Sequence, residues 1–218
     1  MRNLQENIVP SKNQNPESFY PEYNTGIRIM FVGNSITKHA PKESIGWFND
    51  CGMAASSLEK DYVHILESRI KETHPNASFA ILQVADFERN FSDMNIKEFY
   101  GSAFDYNPDI VVMFFGANVD KKYDDLQNPD ITFGSKYEEL RNLIDKNNQA
   151  KVIHLQGFYI REKLDNEKKA VSDKYNDIFI NIEEIRNDEN MHGEFNHPSD
   201  DGMLAIADKI WDVMKDMI

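Results

Sequence analysis

Two short stretches near opposite ends of this 218-residue chain hold the residue types of nucleophilic chemistry: Gly33-Asn34-Ser35, and Glu194-Phe195-Asn196-His197-Pro198-Ser199-Asp200-Asp201-Gly202. A serine hydroxyl is a weak nucleophile at neutral pH and needs a base to take its proton as it attacks. Histidine, whose ordinary pKa is about 6.5, is the side chain suited to that task. Taken alone, Gly-Asn-Ser is also an ordinary turn, with Ser35 an N-cap for the segment that follows. The pairing of a candidate base with a candidate nucleophile gives the chemical reading its weight.

Such a serine must be presented by rigid structure. Ile27-Arg28-Ile29-Met30-Phe31-Val32-Gly33 is an apolar run with β-branched and aromatic members, the pattern of a parallel strand covered on both faces. Gly33 then permits a tight turn and sets Ser35 at the strand's carboxyl end, where ligands bind in open α/β sheets. Further strands are predicted at Ser78 to Val84, Asp109 to Gly116, Lys151 to Gln156 and Ile178 to Ile182. Between them, Ser56 with Glu59 forms a capping box for a helix running to about Thr73, and Ile96 to Phe104 reads as a short second helix. Tyr137, Leu140, Leu143 and Ile144 mark a third, and Arg161 to Tyr175 reads as a charged surface helix. After Pro198, a last amphipathic helix carries Met203, Ile206, Ala207, Ile210 and Met214 on one face. Five strand and helix alternations imply a parallel sheet between helical layers. Residues 1–26 read as an arm anchored through Phe19, Tyr20 and Tyr23, with one domain over residues 27–218.

Composition narrows the partners. A formal charge of −13 and a pI near 4.9 argue against nucleic acid and anionic membranes, and make an acidic polymer an unfavourable substrate. Cys51 is the only cysteine, so no internal disulfide forms, and no zinc-site spacing is present. Neither a signal-peptide core nor an apolar run of about 18 residues is visible, which makes a cytoplasmic location the default expectation. Oligomeric state is not legible.

With Ser35, Asn118 and His197 at strand ends or helix starts, and Gly52 in the loop after the first strand, the chain from Ile27 to Ile218 resembles the SGNH hydrolases, or GDSL-like esterases and lipases. The resemblance implies a three-layer α/β/α sandwich with a five-stranded, flavodoxin-like parallel sheet. It implies that Ser35 in Gly-Asn-Ser is the nucleophile, with Asn34 in place of the more usual aspartate. Gly52 in Asp50-Cys51-Gly52-Met53 matches the second block, whose glycine amide serves an oxyanion hole, and Asn118 in Gly116-Ala117-Asn118 matches the third, whose asparagine is another donor. His197 matches the base. Glu194 stands where the family commonly has aspartate, three residues before the histidine, so the site is either a Ser-His-Glu triad or a Ser-His dyad.

The function this implies is a serine esterase acting on a small or short-chain ester, such as the O-acetyl groups of a carbohydrate, with no metal or organic cofactor. Ser35, Gly52 and Asn118 would form the oxyanion hole. The alternative is a non-catalytic binding module for sugars or small molecules on the same fold. A nucleotide- or flavin-binding protein is disfavoured because no Gly-rich phosphate loop follows the first strand. Trp47, Phe48 and Phe158 either line a pocket or pack beneath their loops, and the substrate-binding residues stay unassigned. His39, His64, His74, His154 and His192 read as surface or packing histidines.

Overall fold

A computed structural model describes residues 18–218, so most of the predicted arm lies outside the described residues. Six strands form one sheet: β1 (Phe19–Pro21), β2 (Arg28–Gly33), β3 (Ser78–Gln83), β4 (Ile110–Phe114), β5 (Lys151–Leu155) and β6 (Ile178–Ile180), in the order β1-β3-β2-β4-β5-β6. The last five are parallel, as the alternation predicts, and their order is that of a flavodoxin-like sheet. The sixth is an addition. Phe19, Tyr20 and Pro21 pair antiparallel with Leu82, Ile81 and Ala80, covering the edge of β3.

Period-two alternation decides which layer each strand residue joins. Ile29 and Phe31 pack in one apolar cluster with Tyr62, Leu66 and Ile70 of α1 (Tyr62–Thr73) and with Ile206 and Ile210 of α7 (Asp200–Met214). Met30 and Val32 face the opposite layer, which is built from α2 (Ala85–Asn90), α3 (Ile96–Phe99), α4 (Phe133–Ile144) and α5 (Glu162–Tyr175). Completing the helices, α6 (Glu183–Arg186) packs near α7. All five residues predicted on the last helix's apolar face are buried, and Ser199 caps that helix by accepting from the Gly202 amide.

Three local expectations are corrected. The first long helix is capped by Asp61, whose side chain accepts from the His64 amide at 2.8 Å, while Ser56 instead binds Asp200 through its amide and hydroxyl. Ile96 to Phe104 divides into α3 and a 3₁₀ turn over Gly101–Asp105, and α2 precedes it where no helix is expected. The charged helix α5 is only partly a solvated face: Asp165 and Lys168 are buried, with Lys168 Nζ 2.9 Å from Asp165 and Arg186 2.8 Å from the same carboxylate. Among the described residues, no helix is long and apolar enough to cross a membrane.

Candidate active site at the carboxyl edge of the sheet

Gly33 closes β2 because nothing larger fits: an added Cβ would meet Thr37 Oγ1 at 1.7 Å and the Phe114 carbonyl at 3.1 Å. The chain then turns on Asn34, whose Oδ1 accepts from the Ile36 amide and whose carbonyl accepts from the amides of Thr37 and Lys38. Ser35 is thereby held half-buried at the strand's end. Its carbonyl accepts from the Met53 amide at 2.8 Å, and its own amide donates to no group among the described residues.

His197 arrives from the other end of the chain. Ser35 Oγ and His197 Nε2 are 2.7 Å apart, a hydrogen bond in which the neutral imidazole accepts at Nε2 when Nδ1 carries the proton. Nδ1 lies 2.7 Å from the Phe195 carbonyl, an acceptor, and that contact selects this tautomer. Burial lowers the His197 pKa below the ordinary histidine value; the carbonyl opposes the shift and nearby His39 adds to it.

Glu194, a candidate for the orienting acid, is not brought to the imidazole. It is exposed, and among the described residues its side chain makes no hydrogen bond or ion pair. The reason is local backbone. Phe195 (φ 55) and Asn196 (φ 58) are both left-handed, so the chain doubles back and aims the Phe195 carbonyl at the ring in the carboxylate's stead. Two supports hold this turn. Tyr159 Oη donates to the Asn196 carbonyl at 2.7 Å, its pKa pushed up to about 12 by burial, so the hydroxyl keeps its proton. Trp47 packs edge-on against the Phe195 ring at 6.2 Å, its indole N–H bonded to the His39 carbonyl.

The donor side departs from expectation in one place. Gly52, a candidate oxyanion donor, has its amide on Asp61 Oδ2 at 2.9 Å, in a buried position where an added Cβ would lie 2.5 Å from the Ile36 carbonyl. It serves packing and the cap of α1. Asn118 does sit at the end of β4, half-buried. Its Nδ2 is 2.5 Å from Oε2 of Glu88, a fully buried carboxylate on α2, and its Oδ1 faces Arg89 Nη2 at 3.3 Å. Among the described residues, one N–H of that amide group is left over.

Glu88 is the buried residue of this region that sequence reasoning passed over. A signal existed: Phe87 and Phe91 stand four apart, bracketing Glu88 in a stretch whose first turn carries Asp86, as a helix start prefers.

Around Ser35 opens a groove of about 590 Å³, lined among others by His39, Lys42, Gln83, Asp86 and Arg89. Of the three loop aromatics, Trp47 and Phe158 are buried beneath their loops, Phe158 against His192, while Phe48 is exposed. His154 is a satisfied core residue between Tyr137 and Asp177. Among the described residues, no group of three or more His, Cys, Asp or Glu is arranged to hold a metal ion.

No protein-family model matches the chain, and no curated protein matches its sequence. Solved structures do. A family two carbohydrate esterase from Clostridium thermocellum, in complex with cellohexaose, matches at a TM-score of 0.57 and 14% identity, covering 87% of this chain and 64% of that one. Its counterpart from Cellvibrio japonicus matches at 0.57 and 13%, covering 89% and 62%. A GDSL-like lipase by name, from Bacteroides ovatus, matches at 0.52 and 17%, covering 88% and 99%. The chain thus spans slightly less than two thirds of the two carbohydrate esterases. At these identities the likeness is one of fold, and the fold is that of the SGNH/GDSL-like hydrolases.

Proposed function

We propose that the protein is a serine esterase working through a Ser35–His197 dyad. The observation that carries this reading is the 2.7 Å contact between Ser35 Oγ and the one imidazole nitrogen left free to accept. His197 takes the hydroxyl proton as Ser35 attacks the ester carbonyl, then returns it to the departing alcohol. Water repeats the sequence on the acyl-enzyme. Each tetrahedral oxyanion is met by the unpaired Ser35 amide and the remaining Asn118 N–H, and one such donor is typically worth about 3 to 4 kcal/mol of barrier. The Phe195 carbonyl holds the tautomer that a third acid would otherwise hold.

The substrate we propose is a short-chain ester on a polar alcohol, in particular an O-acetyl group on a carbohydrate. A groove in which Lys38, His39, Lys42, Gln83, Asp86 and Arg89 stand beside only Tyr20, Ala40 and Ala85 supports it, because long acyl chains want a more continuous apolar rim. The shared fold of carbohydrate esterases is in keeping with it. Incubation with a fluorophosphonate probe, followed by a chain-length series of aryl esters and a panel of acetylated oligosaccharides, tests both levels. Labelling at Ser35 with fastest turnover of acetyl esters is expected. A wild-type protein that takes no label while still binding oligosaccharides would be a non-catalytic binding module instead.

A further inference from the structure

We propose that Glu88 is the positioning residue of the oxyanion-binding half of this site, fixing the Asn118 and Asn34 amide groups on either side of Ser35; the inference rests on the esterase reading. Three N–H donors converge on its carboxylate: Asn34 Nδ2 at 2.9 Å and the Gly116 amide on Oε1, and Asn118 Nδ2 at 2.5 Å on Oε2. Among the described residues, no acceptor bonds to it. A carboxylate, which only accepts, matches this set of three donors, whereas a protonated carboxyl would add an O–H with no acceptor among the described residues.

The consequence is directional. An asparagine side chain has nearly the same shape with its oxygen and nitrogen exchanged, so its partners alone decide which end points where. Glu88 draws both nitrogens toward itself. That leaves Asn34 Oδ1 to take the Ile36 amide and Asn118 Oδ1 to face Arg89, so the second Asn118 N–H has a fixed direction before substrate arrives. Since Asn34 follows β2 and Gly116 and Asn118 follow β4, one carboxylate also ties together the segments leaving the two neighbouring strands.

A buried anion needs compensation. Burial pushes the Glu88 pKa up and its donors pull it back. Behind Gly116, Lys168 Nζ lies 3.9 Å from where a glycine Cβ would stand, and Lys168, Asp165 and Arg186 complete a buried set of two cations and two anions with Glu88. The two cations nearby offset part of the cost of burying a charge there.

Glu88→Gln keeps the shape and aims an N–H at donors, forcing one partner away. On p-nitrophenyl acetate, kcat should fall about 10- to 100-fold with KM within about threefold, because an oxyanion donor acts mainly in the transition state. In an Asn118→Ala background the same change should cost less than about threefold, since its target is already gone. Equal losses in both backgrounds, or an unchanged kcat, overturn the proposal, as a purely structural clamp would give the first. If Glu88→Gln does not fold, the wild-type protein decides: the Asn118 side-chain amide proton, assigned by its absence in Asn118→Ala, should resonate far downfield of free amides, and an ordinary shift overturns the link. Should the wild type neither take a fluorophosphonate label nor turn over ester, the esterase reading fails separately, and the amide shift alone tests whether Glu88 holds Asn118.

Discussion

The two sides of Ser35 are built on opposite principles. Toward α7, the proposed base is oriented by backbone: a main-chain carbonyl, set by two left-handed residues, receives Nδ1 of His197, and among the described residues no charged side chain bonds to the ring. Toward α2, Asn118, one of the proposed oxyanion donors, is held by a side chain, a buried carboxylate with three N–H partners and the Lys168–Asp165 pair behind it. The difference follows from what each side must do. A base changes charge during the reaction, and a neutral dipole tolerates both states; a donor must only stay still, and an acceptor-only group deep in the core holds it.

The comparison breaks most completely when the shared atom is removed. Ser35→Ala should lower p-nitrophenyl acetate turnover by at least about 10³ while circular dichroism stays unchanged, because the side chain sits at a half-buried strand end and not in the core. Asn118→Ala, which disarms only the donor side, should lower kcat about 100- to 1,000-fold with little change in KM. Equal changes in both constants would make Asn118 a substrate contact.

On the base side, residue type should matter less than backbone. Asn196→Val places a β-branched residue at φ 58, which it resists, and should cost about tenfold in kcat by turning the Phe195 carbonyl away. Glu194→Gln should change kcat less than about threefold, since that carboxylate touches nothing that acts; a loss of roughly 10³ would restore it to the site. The subtlest effect is in the pH profile. Because burial lowers the His197 pKa, the base stays neutral further into acid, and the acid limb of kcat/KM should lie below about 6.5. A limb above that value would show His197 stabilised as imidazolium by an acid partner.

Much of this arrangement was legible in the residues alone. Apolar β-branched runs at Ile29 to Val32 and Ile110 to Met113 can form little but buried parallel strands, and the strand-end positions of Ser35 and Asn118 follow from them. The face of α7 was equally plain. What escaped were features that depend on through-space pairing: Glu88 looks solvated in a polar stretch until three donors close on it, and Asp61 competes with Ser56 as a helix cap only because the Gly52 amide and His64 reach it together. The spacing of Glu194 before His197 was visible, but not the left-handed pair between them, since Phe195 is among the residues least expected there.

That left-handed pair changes where the information for orienting His197, the proposed base, resides. A catalytic acid is a letter in the sequence and can be lost by one substitution; a carbonyl is present whatever residue stands at 195. The requirement shifts from identity at one position to conformational tolerance at two, and to the Tyr159 hydroxyl and Trp47 ring that hold the turn from separate loops. In this chain, no matching acid among the described residues marks the histidine held in this way. What marks it here is a tyrosine, a tryptophan and a turn, scattered along the chain and meeting only in space.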